Sequence, residues 1–358
     1  MLCQIPWYFL CCEPNSGSLI GAQPPASFQN ETRQHQKDGH HMRFQKRSIA
    51  AVSVLAAGAL VASLSTSASA EISMKSLLSE EMQQQQIFAG SYMTGGATST
   101  IYGNIIAGTY VTTGVNTTVD GSTSSGTDTT LGANSTVSGS VQSAGDSTLG
   151  SNSVVAGNVN SGVVTTFIDG ATSGSESNDY YSAAAEMERG RNEITDVQQF
   201  LLRFAGNVTL PEATINTDTT FTQGIYTITG FMSVAADITI TLDAQNTDSE
   251  FIFNISKYLS FGENVQVRVV NATENVVVIW NAGGGYVTLG ANADIVGNVL
   301  AQEYVSIGAQ ATIVGIGADC GGAMYSATSY ITIGAGGIVG TTGENGSCQI
   351  PSTDWIKN

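Results

Sequence analysis

Two stretches of the chain alternate apolar and polar residues with a period of two, and both carry that alternation on a longer repeat of eighteen. In the first, Leu131, Ala133, Ser135, Val137, Gly139 and Val141 are apolar or small, while Thr130, Asn134, Thr136, Ser138 and Ser140 are polar. That is the pattern of strands buried on one face. Gly96, Gly114, Gly132 and Gly150 each lie one such repeat after the last, Gly103, Gly121, Gly139 and Gly157 run in register with them, and Ile101, Val119, Val137 and Val155 hold the same phase. The rung returns late in the chain. Leu289–Gly297 resembles Leu131–Gly139, Gly308 and Gly315 follow at the same step, and Ile333–Gly340 gives a further copy after an insertion holding Cys320. Eighteen residues of short strands broken by Gly make a triangular coil with rungs stacked about 4.8 Å apart. The pattern predicts a mainly β chain, a right-handed triangular β-solenoid of about 18-residue rungs that is discontinuous in sequence.

Residues 178–205 break the pattern. Tyr181, Ala184, Ala185, Met187, Ile194, Val197, Phe200, Leu201 and Phe204 are spaced as on one side of an amphipathic helix, with Gly206 as its stop. In the late rungs Val296, Val314 and Val339 read as an outward apolar column. Such a column needs cover, so one long helix is expected to pack along it.

At the other extreme of the chain, the basic run Met42–Arg47, the Ala-rich apolar run Ile49–Val61 and the small-x-small site Ala68-Ser69-Ala70 predict a secretory signal peptide over 42–70. Residues 1–41 then read as an over-called upstream extension, and 71–358 as a single mature domain. Within it, 88–177 hold the N-terminal rungs, 178–205 the flanking helix, and 209–342 further strands and the C-terminal rungs. The expected location is outside the cell or in a periplasm, with no membrane attachment after cleavage, as a monomer.

The full chain of 358 residues has 12 Lys and Arg against 29 Asp and Glu, a net charge of −17, with only 11% charged residues. Five of the cations and three of the acids lie in residues 1–70, so the expected mature chain keeps 7 and 26, a net −19. So acidic a chain repels polyanions, which excludes nucleic acid as a partner. His35, His40 and His41 fall in the expected leader, so no imidazole is left for catalysis. Of five Cys only Cys320 and Cys348 remain, a candidate disulfide or two free thiols.

Between the repeat blocks, Gly224-x-Tyr226, Leu242-Asp243-Ala244, Phe251-Ile252-Phe253 and Asn275 to Trp280, followed by Leu289 to Ala301, carry a resemblance of another kind. Over roughly residues 88–342 the chain resembles the secreted ice-binding (antifreeze) protein family of microbes and fungi. The resemblance implies one discontinuous β-solenoid with a helix along it, agreeing with the repeat, and implies ice as the ligand.

Catalysis on such a scaffold needs clustered charge. Lys257 and Arg268 lie outside the rung columns, and Asp128 and Asp146, one rung apart, read as solvated strand positions before a cation site, since no third carboxylate joins them. No enzyme, cofactor or metal is expected. The informative column lies two residues before each first Gly: Thr94, Thr112, Thr130, Thr148, Thr288, Ser306 and Thr332. Stacked Thr is also simply a good strand former. For a crystal surface, however, it offers a methyl and a hydroxyl per rung on a side chain already stiff at χ1, without a charge to hold liquid-like water. Tyr92, Tyr110, Tyr286, Tyr304 and Tyr330 run beside it, two residues upstream. A second candidate face carries Asn116, Thr118, Asn134, Thr136, Asn152, Asn292 and Thr312. The resulting expectation is an exported protein that adsorbs to ice through a flat Thr/Ser/Asn face and inhibits growth and recrystallisation. The alternative is an extracellular structural or adhesive module that meets a glycan or protein through the same face.

Overall fold

A computed structural model of the chain describes residues 72–340, except 180, 181, 205, 274 and 317–320, together with 343–344 and 347–348. The expected extension at 1–41 and the expected signal peptide at 42–70, with Tyr181 and Cys320, lie outside the described residues. Cys348 falls in a short strand, Ser347–Cys348, paired antiparallel with Gly343–Glu344.

Each N-terminal rung folds into three short strands because the alternation is broken at fixed offsets. In one rung they are Thr129–Leu131, Thr136–Val137 and Val141–Ser143. Between the first two strands the chain turns through Gly132 and through Asn134 in the left-handed conformation, φ 55°. Glycine is required where rungs touch: a Cβ on Gly114 would lie 2.5 Å from the backbone nitrogen of Ala97 in the rung beside it. Successive rungs pair in parallel, Leu131 against Leu149 and Val137 against Val119 and Val155.

The two repeat blocks form one body. Met93 pairs with Val111 on one side and with Ile331 on the other, Ile101 with Val119 and Val339, and Ile87 with Ile105 and Met324. All three sides of the first rung are thus closed by the last part of the chain. The chain enters mid-body, coils to one end at Thr165–Phe167, restarts at the other end at Ala213–Ile215, and coils back to its own beginning.

The crossing is made by the helix Ala184–Leu202, whose 19 residues reach about 28 Å, roughly six rung spacings. It buries Met187, Gly190, Ile194, Val197, Gln198 and Leu201. Its partners are Phe88, Ile106, Ile252, Ile279, Leu300 and Tyr325, with Met74, Leu78 and Met82 from the preceding segment closing the cluster. The valines expected beneath it are elsewhere: Val296, Val314 and Val339 point into the solenoid core. Val296 precedes Gly297, whose φ is 109°; here and one rung on, two consecutive side chains turn inward, Ile295 with Val296 and Ile313 with Val314, and the strict alternation fails. Val339 instead lies in register with Ile313 and Ile101, the ordinary inward position. Under the C-terminal end of the helix, buried Asn254 donates to the carbonyl of Leu201 (2.6 Å) and Asn281 to that of Gln198 (3.3 Å), tying the last turns of the helix to the solenoid beneath it.

The core changes character along the axis. The N-terminal rungs bury the hydroxyl column Ser99, Thr117, Ser135 and Ser153, while the C-terminal half buries Phe251, Phe253, Phe261 and Trp280. Trp280 stacks on Phe253 at 4.2 Å and donates to the carbonyl of Val296 at 2.8 Å.

Candidate functional site

One side of the triangle is a separate 11-stranded parallel sheet of three-residue strands. Most of its strands bury their first and third residues, so the middle side chain faces outward. In spatial order the outward positions are Thr166, Thr148, Thr130, Thr112, Thr94, Thr332, Ser306, Thr288, Ser260, Ser233 and Thr214. Every rung carries a hydroxyl at this middle position, and none carries a charge there. All seven residues expected for the column fall in it, and the seam between the two repeat blocks, Thr94 beside Thr332, passes through it without a gap. Neighbouring hydroxyls also bond along the column, Thr288 to Ser260 at 3.0 Å and Thr332 to Ser306 at 2.8 Å.

Four members were not anticipated: Thr166, Ser260, Ser233 and Thr214. Thr166 is one further regular step after Thr148, whereas the rungs of the other three depart from the eighteen-residue period. The signal that finds Ser260 is local: Tyr258-Leu259-Ser260-Phe261-Gly262 has the same form as Tyr286-Val287-Thr288-Leu289-Gly290.

Two residues upstream of each outward hydroxyl is a second column. Phe231, Tyr258, Tyr286, Tyr304, Tyr330, Tyr92 and Tyr110 stack ring on ring at centroid spacings of 4.7–5.1 Å, with planes within 2–11° of parallel. That spacing is the rung spacing itself. In the next two rungs Asp128 and Asp146 take the place of a ring, and they serve the backbone. Asp128 accepts from the Asp146 N–H at 2.9 Å, and Asp146 from the Val164 N–H at 3.1 Å. Among the described residues no group of three or more His, Cys, Asp or Glu side chains is placed to hold a metal.

The second candidate face has a different geometry. Asn116, Asn134, Asn152 and Asn292 occupy left-handed turns at φ 55–57°, a conformation Asn tolerates better than most residues. They form an exposed corner, with Asn152 donating to Asn134 at 3.4 Å and Asn292 to Asn264 at 3.1 Å. Beyond that corner Thr118 and Thr136 are exposed and Thr312 half-buried. Their column is interrupted by Ile338 and Asp294. Burial, foremost, raises the Asp294 carboxyl above its ordinary range, against the lowering effect of the Thr312 hydroxyl and of Arg268.

The model of the Ice-binding-like family matches residues 147–338. No curated protein matches the chain. Among solved structures, the chain is similar to an ice-binding protein of the Antarctic ascomycete Antarctomyces psychrotrophicus, with 15% identity, a TM-score of 0.43, and coverage of 73% of this chain and 96% of that one. An ice-binding protein from an Antarctic biological consortium shares 16% identity, with a TM-score of 0.43 and coverage of 74% and 90%. The domain of Shewanella frigidimarina ice-binding protein 1 shares 18%, with a TM-score of 0.42 and coverage of 73% and 95%.

Proposed function

Since the chain belongs to the ice-binding-like family, we propose that it adsorbs to ice through the 11-stranded face, with the Thr/Ser column as the contacting row. The observation that carries this reading is the unbroken, uncharged hydroxyl row, continuous across the seam between the two repeat blocks. Ice is an ordered lattice of oxygens, so a binder gains from a rigid array of matching repeat. The parallel sheet fixes that repeat at the rung spacing. Threonine adds stiffness at χ1, so little side-chain freedom is lost on adsorption. A carboxylate or ammonium would hold its own hydration shell against the crystal, and the row has neither. Molecules anchored in this way force the ice front to bulge between them, and the curvature stops growth and recrystallisation. The family points to a binding role and away from catalysis.

We also propose export, with cleavage after Ala70. Among the described residues no helix is long and apolar enough to cross a membrane.

The row is tested by bulk. Thr112→Tyr places a ring where the surface must lie flat and is expected to remove most of the freezing hysteresis. Ser138→Tyr, at an exposed position outside the 11-stranded sheet, is expected to keep it. Full activity in Thr112→Tyr at equal folded concentration would contradict the assignment of this face.

A further inference from the structure

A single column of hydroxyls fixes a spacing in one direction only, whereas a crystal plane repeats in two. On one side of the column the next outward position is a glycine, as at Gly114, Gly132, Gly290 and Gly308, and offers no side chain. On the other side it is an aromatic ring through seven successive rungs. An inner ring of that stack is gripped between two others, so its edge is held at the period of the rungs.

Resting on the reading of the Thr/Ser row as ice-binding, we propose that the hydroxyls of Tyr92, Tyr110, Tyr258, Tyr286, Tyr304 and Tyr330 form a second rank of the same face. The backbone that carries this rank runs parallel to that of the first, about 7 Å away along the strand by the two-residue spacing. Together the two ranks fix both directions of the adsorbed plane and so select which ice planes are bound. The rank ends at Asp128 and Asp146, whose carboxylates hold water of their own. At Tyr304 burial, foremost, and the neighbouring Tyr286, Tyr330 and Glu303 raise the phenol above its ordinary range.

The test removes hydroxyls and keeps rings. Phe231 already occupies the stack at 5.1 Å from Tyr258, so phenylalanine fits it. The combined variant Tyr92→Phe, Tyr304→Phe, Tyr330→Phe is compared with Tyr102→Phe, a half-buried tyrosine outside the stack, and with Thr332→Tyr. Melting temperature, hysteresis and the pattern of planes coated by fluorescently labelled protein on a single-crystal ice hemisphere are read for each. The expected result is an unchanged melting temperature, a severalfold loss of hysteresis and an altered plane pattern in the combined variant alone among the Tyr→Phe set. The three single variants carry the same comparison should the combined one unfold. A combined variant with the parent's hysteresis and planes, beside an inactive Thr332→Tyr, overturns the second rank and leaves the Thr/Ser row standing. If Thr332→Tyr is also fully active, the face itself is misassigned and the second rank falls with it.

Discussion

Val137→Asp probes the inward phase of the rungs. Val137 is fully buried, stacked between Val119 and Val155 of the adjoining rungs. Removing the valine forfeits about 1.5–3 kcal/mol of burial. The aspartyl group brought in finds the neighbouring backbone groups already committed to the parallel ladder, and leaving it unpartnered costs about 2–7 kcal/mol even in its neutral form. A loss of about 4 kcal/mol or more is therefore expected, a large part of the roughly 5–15 kcal/mol that holds a typical domain together. The control is the adjacent residue. Thr136 is exposed on the other side of the same strand, so Thr136→Asp should change stability by only about 0.5 kcal/mol. Denaturant unfolding of both variants, followed by circular dichroism, gives the comparison. It should also depend on pH with a definite sign. The buried carboxyl has its folded-state value raised, so the deficit of Val137→Asp should deepen as pH rises from about 4 to 7. An unchanged midpoint in Val137→Asp, with collapse in Thr136→Asp, would mean that the strand phase is inverted and the outward row misassigned.

Two further outcomes can be checked directly. Burial raises the Asp294 carboxyl in the folded state. The stability this gives is complete below the unfolded value, near pH 3.8, and is lost as pH rises through the folded one. Asp294→Asn, which imitates the protonated form, should therefore melt above the parent at pH 7 and level with it near pH 3, as read by calorimetry. Secreted material should begin at Glu71 by N-terminal sequencing, and His40 or His41 in it would refute the proposed processing.

The repeat made much of this body legible before any coordinates. Columns such as Gly96–Gly150 and Ile101–Val155 repeat because each rung meets the same neighbour at the same place, and identical constraints select identical residues. The same logic identified seven members of the hydroxyl row. It failed where rung length varies: Ser233, Ser260 and Thr288 follow one another at much wider steps, because those rungs have longer strands on their other sides, such as Ser249–Ile255 and Val276–Ala282. It failed differently at Val296 and Val314, which turn inward together with Ile295 and Ile313 where a simple alternation placed them outward, and at Val339, whose register partner is Ile313 rather than Val314. Nothing in periodicity alone showed that the helix would rest on Phe88, Ile106 and Leu300, since these belong to different rungs joined only by the fold. The Asn column was read as a face because Asn is polar, whereas its recurrence follows from a left-handed turn.

Whether this chain binds ice through its flat hydroxyl face is tested most directly by watching one ice crystal held just below its melting point in a dilute solution of residues 71–358, first the parent and then Thr288→Tyr. A faceted crystal with arrested growth is expected in the parent, and a round, freely growing disc in the variant. A round, freely growing crystal in the folded parent would contradict ice binding itself.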